Sequence, residues 1–198
     1  MSLIKRYHPL KLLWMIYCVI RTKLLFKKAR LIRFPFDVRG RKFISVLNDF
    51  TTGIGCRLEA YPEDGKSTTI TIGNNVQIND YVHITGIKSV IIGNNVLIAS
   101  KVYISDSSHG SYSGDENDSN PGSIPKDRPL FSKNVKIEDN VWLGEMVSVL
   151  AGVTIGKGTI VGANSVVTKN LPANVIAVGS PAKPIKKYNF DSLLWEKY

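Results

Sequence analysis

Residues 137–167 read IEDNVWLGEMVSVLAGVTIGKGTIVGANSVV, and an aliphatic residue recurs at every sixth position of this stretch. An earlier run follows the same pattern, except for one eight-residue step that begins at Ile84. An α-helix has 3.6 residues per turn, so side chains with a period of six would scatter around its axis. The pattern therefore predicts a repeat of short strands and turns. Its twelve units start at Ile72, Ile78, Ile84, Ile92, Ile98, Ile104, Ile137, Leu143, Val149, Ile155, Val161 and Val167.

Six residues accommodate one short strand and one turn, and three such units close a triangular coil. Successive coils stack at the strand spacing of about 4.8 Å, so their backbone groups pair from coil to coil. Ile and Val then fill the interior as ladders, while Gly and Asn supply the unusual backbone angles of the corners. An ordinary β-sandwich would show alternation of period two and irregular strand spacing instead. The sequence therefore predicts an all-β parallel β-helix, and the spacing leaves its handedness open.

Two breaks interrupt the repeat. Residues 46–69 contain coil-like pieces and a polar turn, which we interpret as one irregular first coil. The longer break runs from Ser107 to about Phe131 and is rich in Ser, Gly, Asn, Asp and Pro. A stretch of this length without its own repeat is usually functional or disordered. Because the repeat resumes after it, we predict a loop that is extruded from one corner of the prism.

These features divide the chain into three parts. Residues 1–42 form a basic N-terminal arm, and residues 43–187 form the β-helix domain. The repeat decays after Leu171 and Pro172, and we predict that residues 188–198 close the chain as a short helix.

The net charge of +10 is carried by the N-terminal arm. Residues 1–42 hold twelve Lys and Arg against one acid, Asp37, whereas the rest of the chain holds fourteen bases against fifteen acids. The apolar run from Leu12 to Ile20 is too short to span a bilayer, which takes about 20 residues. More Lys and Arg follow it, and no small-residue cleavage site does, so it is not a secretory signal.

Two roles for the arm stay open. It is a basic, apolar-rich helix that contacts an anionic membrane surface, or it is a helix that caps one end of the core while its charges remain solvated. Binding to nucleic acid is not expected, because the arm lacks a recognisable binding motif. The two cysteines, Cys18 and Cys56, form no disulfide or metal pattern, which favours a reducing compartment. We therefore expect a cytoplasmic protein, with peripheral contact at the inner face of the membrane as one option for the arm.

Histidine is scarce in this chain, which has only His8, His83 and His109. His109 stands at the start of the extruded loop. A neutral imidazole at this place can take a proton from an attacking hydroxyl. The alternative is an ordinary solvated loop histidine. His83 directly precedes a core aliphatic residue, Ile84, so its side chain is expected to point outward from the prism. A role on the surface is therefore expected for it.

From about residue 31 to 187 the chain resembles the hexapeptide-repeat O-acetyltransferases. These include galactoside and maltose acetyltransferases and the enzymes that acetylate O-antigen and capsular polysaccharides. Three stretches carry the resemblance: IGNNVLIASKVYISDSSHG (92–110), NVWLGEMVSVLAGVTIGKGTIVGANSVVTKNLP (140–172) and NVIAVGSPAKPIKKY (174–188). The resemblance implies a left-handed parallel β-helix, a homotrimer, and an active site between adjacent subunits.

The resemblance also implies roles for particular residues. His109 matches the general base of the family, and Asn79 matches an asparagine near the acceptor, although a plain corner residue would also explain it. Residues that match the acetyl-CoA site are Trp142, Gly144, Ala163, Thr168, Lys183 and Lys186. A flat indole suits the pantetheine arm, small residues let the cofactor approach, and lysines suit phosphates. The structural alternatives are an exposed aromatic, small corner residues, a strand threonine and a solvated basic tail.

One position departs from the family pattern. Galactoside acetyltransferases place a serine hydroxyl next to the developing oxyanion, and the matching residue of this chain is Glu145. An ionised carboxylate has no proton to donate. A backbone N–H then has to take that role, or the details of the site differ.

The expected function is the transfer of an acetyl group from acetyl-CoA to a hydroxyl of a sugar or cell-surface polysaccharide precursor, without a metal. An N-acetyltransferase acting on an amino-sugar nucleotide is the alternative, because the same fold and base would serve it. A zinc-dependent carbonic anhydrase of the γ class needs three histidine ligands, and only His83 and His109 lie in the repeat. A purely structural β-helix would leave the loop histidine and the C-terminal signature unexplained.

Overall fold

The computed structural model describes residues 8–198, which form one α-helix followed by short strands. The helix, α1, spans Pro9–Leu25, and 3-10 turns occupy Arg41–Phe43 and Pro125–Asp127. The first seven residues of the predicted arm lie outside the described residues. The strands are β1 (Phe36–Arg39), β2 (Ile44–Val46), β3 (Thr51–Thr52), β4 (Cys56–Ala60), β5 (Ile70–Ile72), β6 (Gln77–Ile78), β7 (His83–Gly86), β8 (Val90–Ile92), β9 (Leu97–Ile98), β10 (Tyr103–Ser105), β11 (Ser107–His109), β12 (Leu130–Ser132), β13 (Val135–Ile137), β14 (Trp142–Leu143), β15 (Ser148–Val149), β16 (Thr154–Ile155), β17 (Ile160–Val161), β18 (Val166–Val167), β19 (Val175–Gly179), β20 (Ala182–Asn189) and β21 (Leu194–Lys197).

The strands stack into three parallel faces of a triangular prism. Face A contains β3, β6, β9, β14, β17 and β19; face B contains β1, β4, β7, β10, β15 and β18; face C contains β2, β5, β8, β13 and β16. Each coil visits the faces in the order A, B, C, and each strand pairs in parallel with its equivalents one coil before and after. The predicted left-handed parallel β-helix of hexapeptide repeats is confirmed.

The interior of the prism consists of the predicted aliphatic ladders. All twelve residues that head the repeat units are at most 1% exposed, and so are the branched residues four places after them, such as Val76, Val102 and Val147. Burying one Val or Ile side chain stabilises the folded state by about 1.5–3 kcal/mol. These ladders are therefore the main source of stability, since the strands themselves are only two to five residues long over most of the prism.

Asparagines and an aspartate stack at the corner between faces C and A. The Asn48 and Asn74 amide nitrogens donate to the side-chain oxygen of the next residue in the column, each at 3.0 Å, and Asn94 donates to Asp139 at 3.1 Å. The residues that directly follow this column in sequence, such as Asn75, have positive φ. Asn adopts this left-handed backbone conformation more readily than most residues do. Short polar side chains thus link the coils where the backbone leaves the strands.

The first coil begins inside the predicted arm. Leu31 bridges in parallel to Thr51, and β1 and β2 continue this coil on faces B and C. The β-helix therefore starts before residue 43, the predicted domain boundary. The spacing of this coil is irregular and lacks the six-residue repeat, which is why the sequence pattern did not reveal it.

Helix α1 packs against this first coil. Cys18, Thr22 and Phe26 are buried, and the Thr22 hydroxyl accepts a 2.7 Å hydrogen bond from the backbone N–H of Ile32. The Arg41 guanidinium lies over the Phe26 ring at 3.9 Å. Helix α1 therefore lies on the first coil of the prism. Within residues 8–198, no helix has the length and apolar character needed to cross a membrane.

The extruded loop has an ordered base. Strands β11 and β12 pair antiparallel, with Ser107 opposite Ser132 and His109 opposite Leu130, and so form a stem. Asp106 precedes the stem and is completely buried. Its carboxylate accepts hydrogen bonds of 2.7–2.9 Å from the backbone N–H groups of Ile87, Lys88 and Ser89. This residue fixes the corner at which the stem leaves the prism.

The predicted C-terminal helix is wrong. Residues 182–197 form the antiparallel pair of β20 and β21, and β20 also pairs antiparallel with β19. The side chain of Asn189 accepts hydrogen bonds from Asp191 and Ser192 in the connecting turn, and Tyr188 packs edge to face on Trp195 at 5.3 Å. A helix of so few residues is marginal, whereas the edge of face A offers unpaired backbone groups to a strand.

Candidate active site

His109 lies at the end of β11, on the stem, with its side chain exposed to solvent. Among the described residues, no hydrogen-bond partner contacts either ring nitrogen. Its backbone carbonyl accepts a 2.6 Å hydrogen bond from the Tyr112 hydroxyl, which in turn accepts a 2.8 Å bond from Arg128. The backbone of His109 is thus held while its imidazole remains available, as a general base requires.

A cleft with a volume of about 430 Å³ lies between the stem and face B. Tyr103 and Ser105 of β10 form one part of its wall, Phe131 of the stem forms another, and Leu150 and Thr168 of later coils complete it. Its walls are both apolar and hydroxyl-bearing, which is typical of pockets for organic ligands. Thr168, a predicted acetyl-CoA contact, therefore lies in the same cleft as the base of the His109 stem.

Asn79 lies elsewhere, at the corner between faces A and B. Its side-chain oxygen accepts a 3.1 Å hydrogen bond from Gln77, and its backbone carbonyl accepts one of 2.9 Å from the Cys56 thiol. Burial raises the pKa of Cys56 to about 11. This thiol is therefore neutral near pH 7, and a neutral, buried thiol is a poor nucleophile.

Trp142, Gly144 and Ala163 lie along face A and the same corner. Trp142 is 47% exposed on the outer surface of β14. A Cβ atom on Gly144 would approach the backbone nitrogen of Ala163 to 2.6 Å. The close approach of the next coil is therefore enough to explain why position 144 is a glycine, whether or not a cofactor binds beside it. Glu145 follows at this corner with an exposed side chain, which is consistent with its departure from the serine pattern.

Lys183 and Lys186 lie on β20, opposite Val178 and Ile176 of β19, and both are exposed. They extend face A beyond the last coil. The predicted cofactor residues therefore separate into a group on face A and its corner, and Thr168 at the far edge of face B.

The predicted site residues fall on opposite edges of face B. Asn79 precedes β7, at the edge where the chain enters this face, whereas His109 follows β10, beyond the edge where the chain leaves it. Trp142, Gly144 and Ala163 share the entry edge with Asn79. Within one chain, the width of face B therefore separates His109 from Asn79.

The outer surface of face B carries a polar cluster that the sequence analysis missed. Glu59 is central to it and contacts Arg39, Arg57 and His83. Arg57 and Glu59 share β4, whereas Arg39 lies one coil earlier and His83 one coil later, 20 and 24 positions from Glu59 along the chain, so no local motif contains all four. His83 points outward as expected, but its partners leave its side chain only 27% exposed. In residues 8–198, no group of three or more His, Cys, Asp or Glu is arranged to hold a metal ion.

Known proteins share this architecture. A family model described as bacterial transferase hexapeptide (six repeats) matches residues 134–169. A protein of Escherichia coli (strain K12) with the provisional name lipopolysaccharide biosynthesis O-acetyl transferase WbbJ is 45% identical over 197 residues, which cover 100% of this chain and 98% of that protein.

Two solved structures are also similar. Galactoside acetyltransferase in complex with coenzyme A is 34% identical, with a TM-score of 0.52 over 72% of this chain and 68% of that one. A point mutant of AntD, an N-acyltransferase from Bacillus cereus, in complex with dTDP-4-amino-4,6-dideoxyglucose and coenzyme A, has a TM-score of 0.69 over 87% of this chain and 90% of that one. Its identity is 22%, so this likeness concerns the fold alone. The similarity to the Escherichia coli relative along the whole chain shows that this protein belongs to the hexapeptide-repeat (left-handed β-helix) O-acetyltransferase family.

Proposed function

We propose that the protein transfers an acetyl group from acetyl-CoA to a hydroxyl of a sugar or polysaccharide precursor, with His109 as the general base. The observation that carries this proposal is an imidazole without a partner among the described residues, on a stem that borders a cleft. The name of the Escherichia coli relative supports a saccharide acceptor, and the coenzyme A complex of galactoside acetyltransferase supports the donor.

The reaction is a direct transfer within a ternary complex. A ring nitrogen of His109 takes the proton of the acceptor hydroxyl as its oxygen attacks the thioester carbonyl carbon. The new C–O bond forms a tetrahedral intermediate, whose oxyanion is stabilised by backbone N–H groups because Glu145 has no proton to donate. The C–S bond then breaks, and the leaving CoA thiolate takes the proton from the imidazolium. No cysteine intermediate is needed, which agrees with the buried, neutral thiol of Cys56.

A thiol-release assay tests this function. Acetyl-CoA is incubated with the protein and a panel of methyl glycosides, and free CoA thiol is measured. Release that depends on a glycoside supports the proposal, whereas no release with any glycoside contradicts it. Amino-sugar nucleotides in the same assay test the N-acetyltransferase alternative. Faster release of CoA thiol with these acceptors than with any glycoside would support N-transfer in place of O-transfer.

A homotrimer resolves the separation of the predicted site residues. His109 and Asn79 lie on opposite edges of face B, so a neighbouring copy has to bring the second group to the first. Subunit complementation tests this arrangement. The His109→Ala and Trp142→Ala variants are each prepared and then co-refolded together. At an acetyl-CoA concentration well below the KM, where both variants are impaired, mixed trimers should be more active than the mean of the separate variants if each site takes residues from two chains, and they should show only that mean if each chain holds a whole site.

The outer surface of α1 supports peripheral membrane contact. Leu10, Leu13, Ile16, Ile20 and Leu24 recur at helical spacing and are all exposed, on the side of α1 opposite Cys18 and Thr22. Lys and Arg residues of the arm flank this apolar surface. An interfacial helix binds anionic lipid through this combination of apolar area and positive charge. We therefore place the protein in the cytoplasm, at the inner face of the membrane.

Vesicle co-sedimentation tests the membrane contact. The full chain should sediment with phosphatidylcholine vesicles that contain phosphatidylglycerol, and less with pure phosphatidylcholine. A variant with Leu13→Glu and Ile20→Glu should lose binding, while Ile124→Glu, an exposed apolar residue of the loop, should retain it. Absence of wild-type binding at low salt would leave α1 as a cap only.

A further inference from the structure

A pocket with a volume of about 200 Å³ opens on the outer surface of the first coils of face A. Arg30 and Arg33, from the segment between α1 and β1, form one of its walls, and the next two coils supply Asp49, Thr51 and Gln77. Residues 27–33 of that segment hold four Lys and Arg and no acid. We call this cavity the arginine pocket.

The two arginines of the pocket keep most of their N–H donors available. Ile32 and Phe34 are buried, so the extended backbone between them directs Arg33 outward. Its Nη1 group donates a 2.8 Å hydrogen bond to the backbone carbonyl of Thr52, which holds the guanidinium at the pocket wall. Arg30 is exposed. In the part of the chain that the structure describes, no carboxylate, including that of Asp49, lies within ion-pair distance of either arginine. A guanidinium has several N–H donors, so the pocket is suited to an anion.

The arginine pocket adjoins the predicted acceptor residue. Gln77 lines the pocket, and its side-chain amide donates the 3.1 Å hydrogen bond to the side-chain oxygen of Asn79. Two residues of a strand span about 7 Å, a distance that one sugar ring can bridge. A sugar with its reacting hydroxyl at the edge near Asn79 can therefore extend a substituent into the pocket.

The order of the coils separates this pocket from the proposed donor site. Strand pairing places four residues in one column along the outer surface of face A: Thr51, Gln77, Leu97 and Trp142. Gln77 thus lies about 10 Å before Trp142, at about 4.8 Å per coil. The column continues past Trp142 through Ile160 and Ile176 to Lys186. The lysines assigned to the CoA phosphates therefore lie at the opposite end of face A, and the donor does not account for the arginines.

Face A remains accessible in the proposed trimer. The edges that neighbouring copies join carry Asn79 and His109, and face B lies between these edges, so face B faces the other copies. Face A borders the edge of Asn79 from outside. An acceptor can therefore lie over face A with its reacting end at the joined edges.

We propose that the arginine pocket binds a phosphate group that is attached to the acceptor sugar. The inference rests on the proposed function and narrows its acceptor to a sugar phosphate or diphosphate. A phosphate ester presents more negative charge and more acceptor oxygens than a carboxylate does, which suits two guanidinium groups. Helix α1 ends at Leu25, shortly before Arg30. A diphosphate that links the sugar to a membrane lipid can thus reach the pocket from the surface that α1 is proposed to contact, and a nucleoside diphosphate sugar can present the same group from solution.

Steady-state kinetics with matched acceptors test the pocket. The methyl glycoside with the fastest wild-type thiol release is compared with the 1-phosphate of the same sugar. The wild-type KM should be about 10- to 100-fold lower for the phosphate, because each charge-assisted contact contributes about one order of magnitude in affinity. Arg30→Gln and Arg33→Gln should each raise the KM for the phosphate about tenfold. Both should leave the KM values for the methyl glycoside and acetyl-CoA within about twofold of wild type.

Lys66→Gln is the matched control, because it removes an exposed charge from the turn between β4 and β5. Arg30→Gln keeps the test valid even if loss of the bond from Arg33 to Thr52 disturbs the first coil. Equal wild-type KM values for the two acceptors would overturn the pocket, and so would a preference for the phosphate that survives in both variants. Loss of vesicle binding in Arg30→Gln with an unchanged KM for the phosphate would assign the arginines to the membrane surface instead.

Calorimetry with inorganic pyrophosphate, without acetyl-CoA, keeps the test independent of catalysis. Binding that is weakened in Arg30→Gln and retained in Lys186→Gln supports the pocket even if no thiol is released. The reverse pattern assigns the anion to the donor site, and no binding to wild type contradicts the pocket.

The linkage of the sugar identifies the source of the phosphate. The same sugar is offered as a diphosphate joined either to uridine or to a farnesyl chain, the latter in vesicles. The lower KM of the two shows whether the natural acceptor is soluble or membrane-borne. Arg30→Gln should raise the KM for the preferred acceptor about tenfold, and an unchanged KM would overturn the proposal.

Discussion

The Tyr112 hydroxyl donates a 2.6 Å hydrogen bond to the backbone carbonyl of His109. Tyr112 lies beyond the stem, in the polar part of the loop, and its hydroxyl also accepts from Arg128, which binds the carbonyl of Ser123 at 2.9 Å. The loop is thus tied back to the backbone of the proposed base. A local hydrogen-bond network, and not an apolar core, orders this part of the loop.

Tyr112→Phe should therefore affect catalysis more than stability. The substitution removes the hydroxyl and frees the carbonyl of His109, and small displacements of a catalytic group reduce rate strongly. We expect kcat to fall about three- to tenfold, with Tm unchanged because Tyr112 is exposed. Tyr198→Phe, which removes an exposed hydroxyl near the C-terminus, is the control. A wild-type kcat in Tyr112→Phe would mean that the stem alone positions His109.

His109→Ala should reduce kcat by about 10²–10⁴-fold, the usual contribution of a positioned general base. CoA binding, measured by calorimetry, should persist, and the free energy of unfolding should change little because the side chain is exposed. His8→Ala is the matched control, since His8 lies before α1 and far from the loop in the chain. If His109→Ala keeps the kcat of wild type, the base lies elsewhere.

Trp142→Ala tests the cofactor surface of face A. The indole is half-exposed, so its loss should leave the free energy of unfolding within about 0.5 kcal/mol of wild type. The KM for acetyl-CoA should rise about tenfold if the ring packs on the pantetheine arm. Ile91→Ala, the control, removes an exposed apolar side chain from face C. It should change neither the free energy of unfolding nor the KM for acetyl-CoA. Equal effects of the two substitutions would assign Trp142 to surface packing alone.

Asp106→Ala should be among the most destabilising substitutions at the base of the loop. The buried carboxylate accepts hydrogen bonds from three backbone N–H groups, which would be left unpaired. We expect the free energy of unfolding to fall by about 3 kcal/mol in urea denaturation. Asp127→Ala removes a solvent-exposed ion pair with Lys126 and should cost no more than about 0.5 kcal/mol. Similar losses for both variants would show that the corner tolerates the missing acceptor.

Glu59 predicts a pH dependence of stability. Its pKa is lowered in the folded state, so the ionised form stabilises the fold above the pKa of the unfolded chain, and this contribution is lost as pH falls through the folded-state pKa. Wild type should therefore exceed Glu59→Gln in free energy of unfolding at pH 7. The difference should shrink as the solution is acidified below about pH 4.5, the ordinary value for this group. If the difference in free energy of unfolding between wild type and Glu59→Gln stays constant over this pH range, the ionisation of Glu59 does not contribute to stability.

The sequence by itself determined the prism. A six-residue period can be read directly because each coil uses neighbouring residues, and the twelve predicted core positions are all buried. The loop could be predicted as well, because its polar composition interrupts the six-residue period. His109 could be identified as a candidate because the chain has only three histidines. The position of the C-terminal strands was not visible, because pairing to the edge of face A outweighed the weak local preference of residues 188–198.

The tertiary structure alone decided which residues meet on the outer surfaces. The stacking of coils places Glu59 beside Arg39 and His83, and Tyr103 beside His83, although 20 or more residues separate most of these partners along the chain. The same stacking separates His109 from Asn79, because the width of face B lies between them. Core positions follow from local periodicity, whereas an outward side chain acquires its neighbours from other coils, so its contacts depend on how the whole chain is wound.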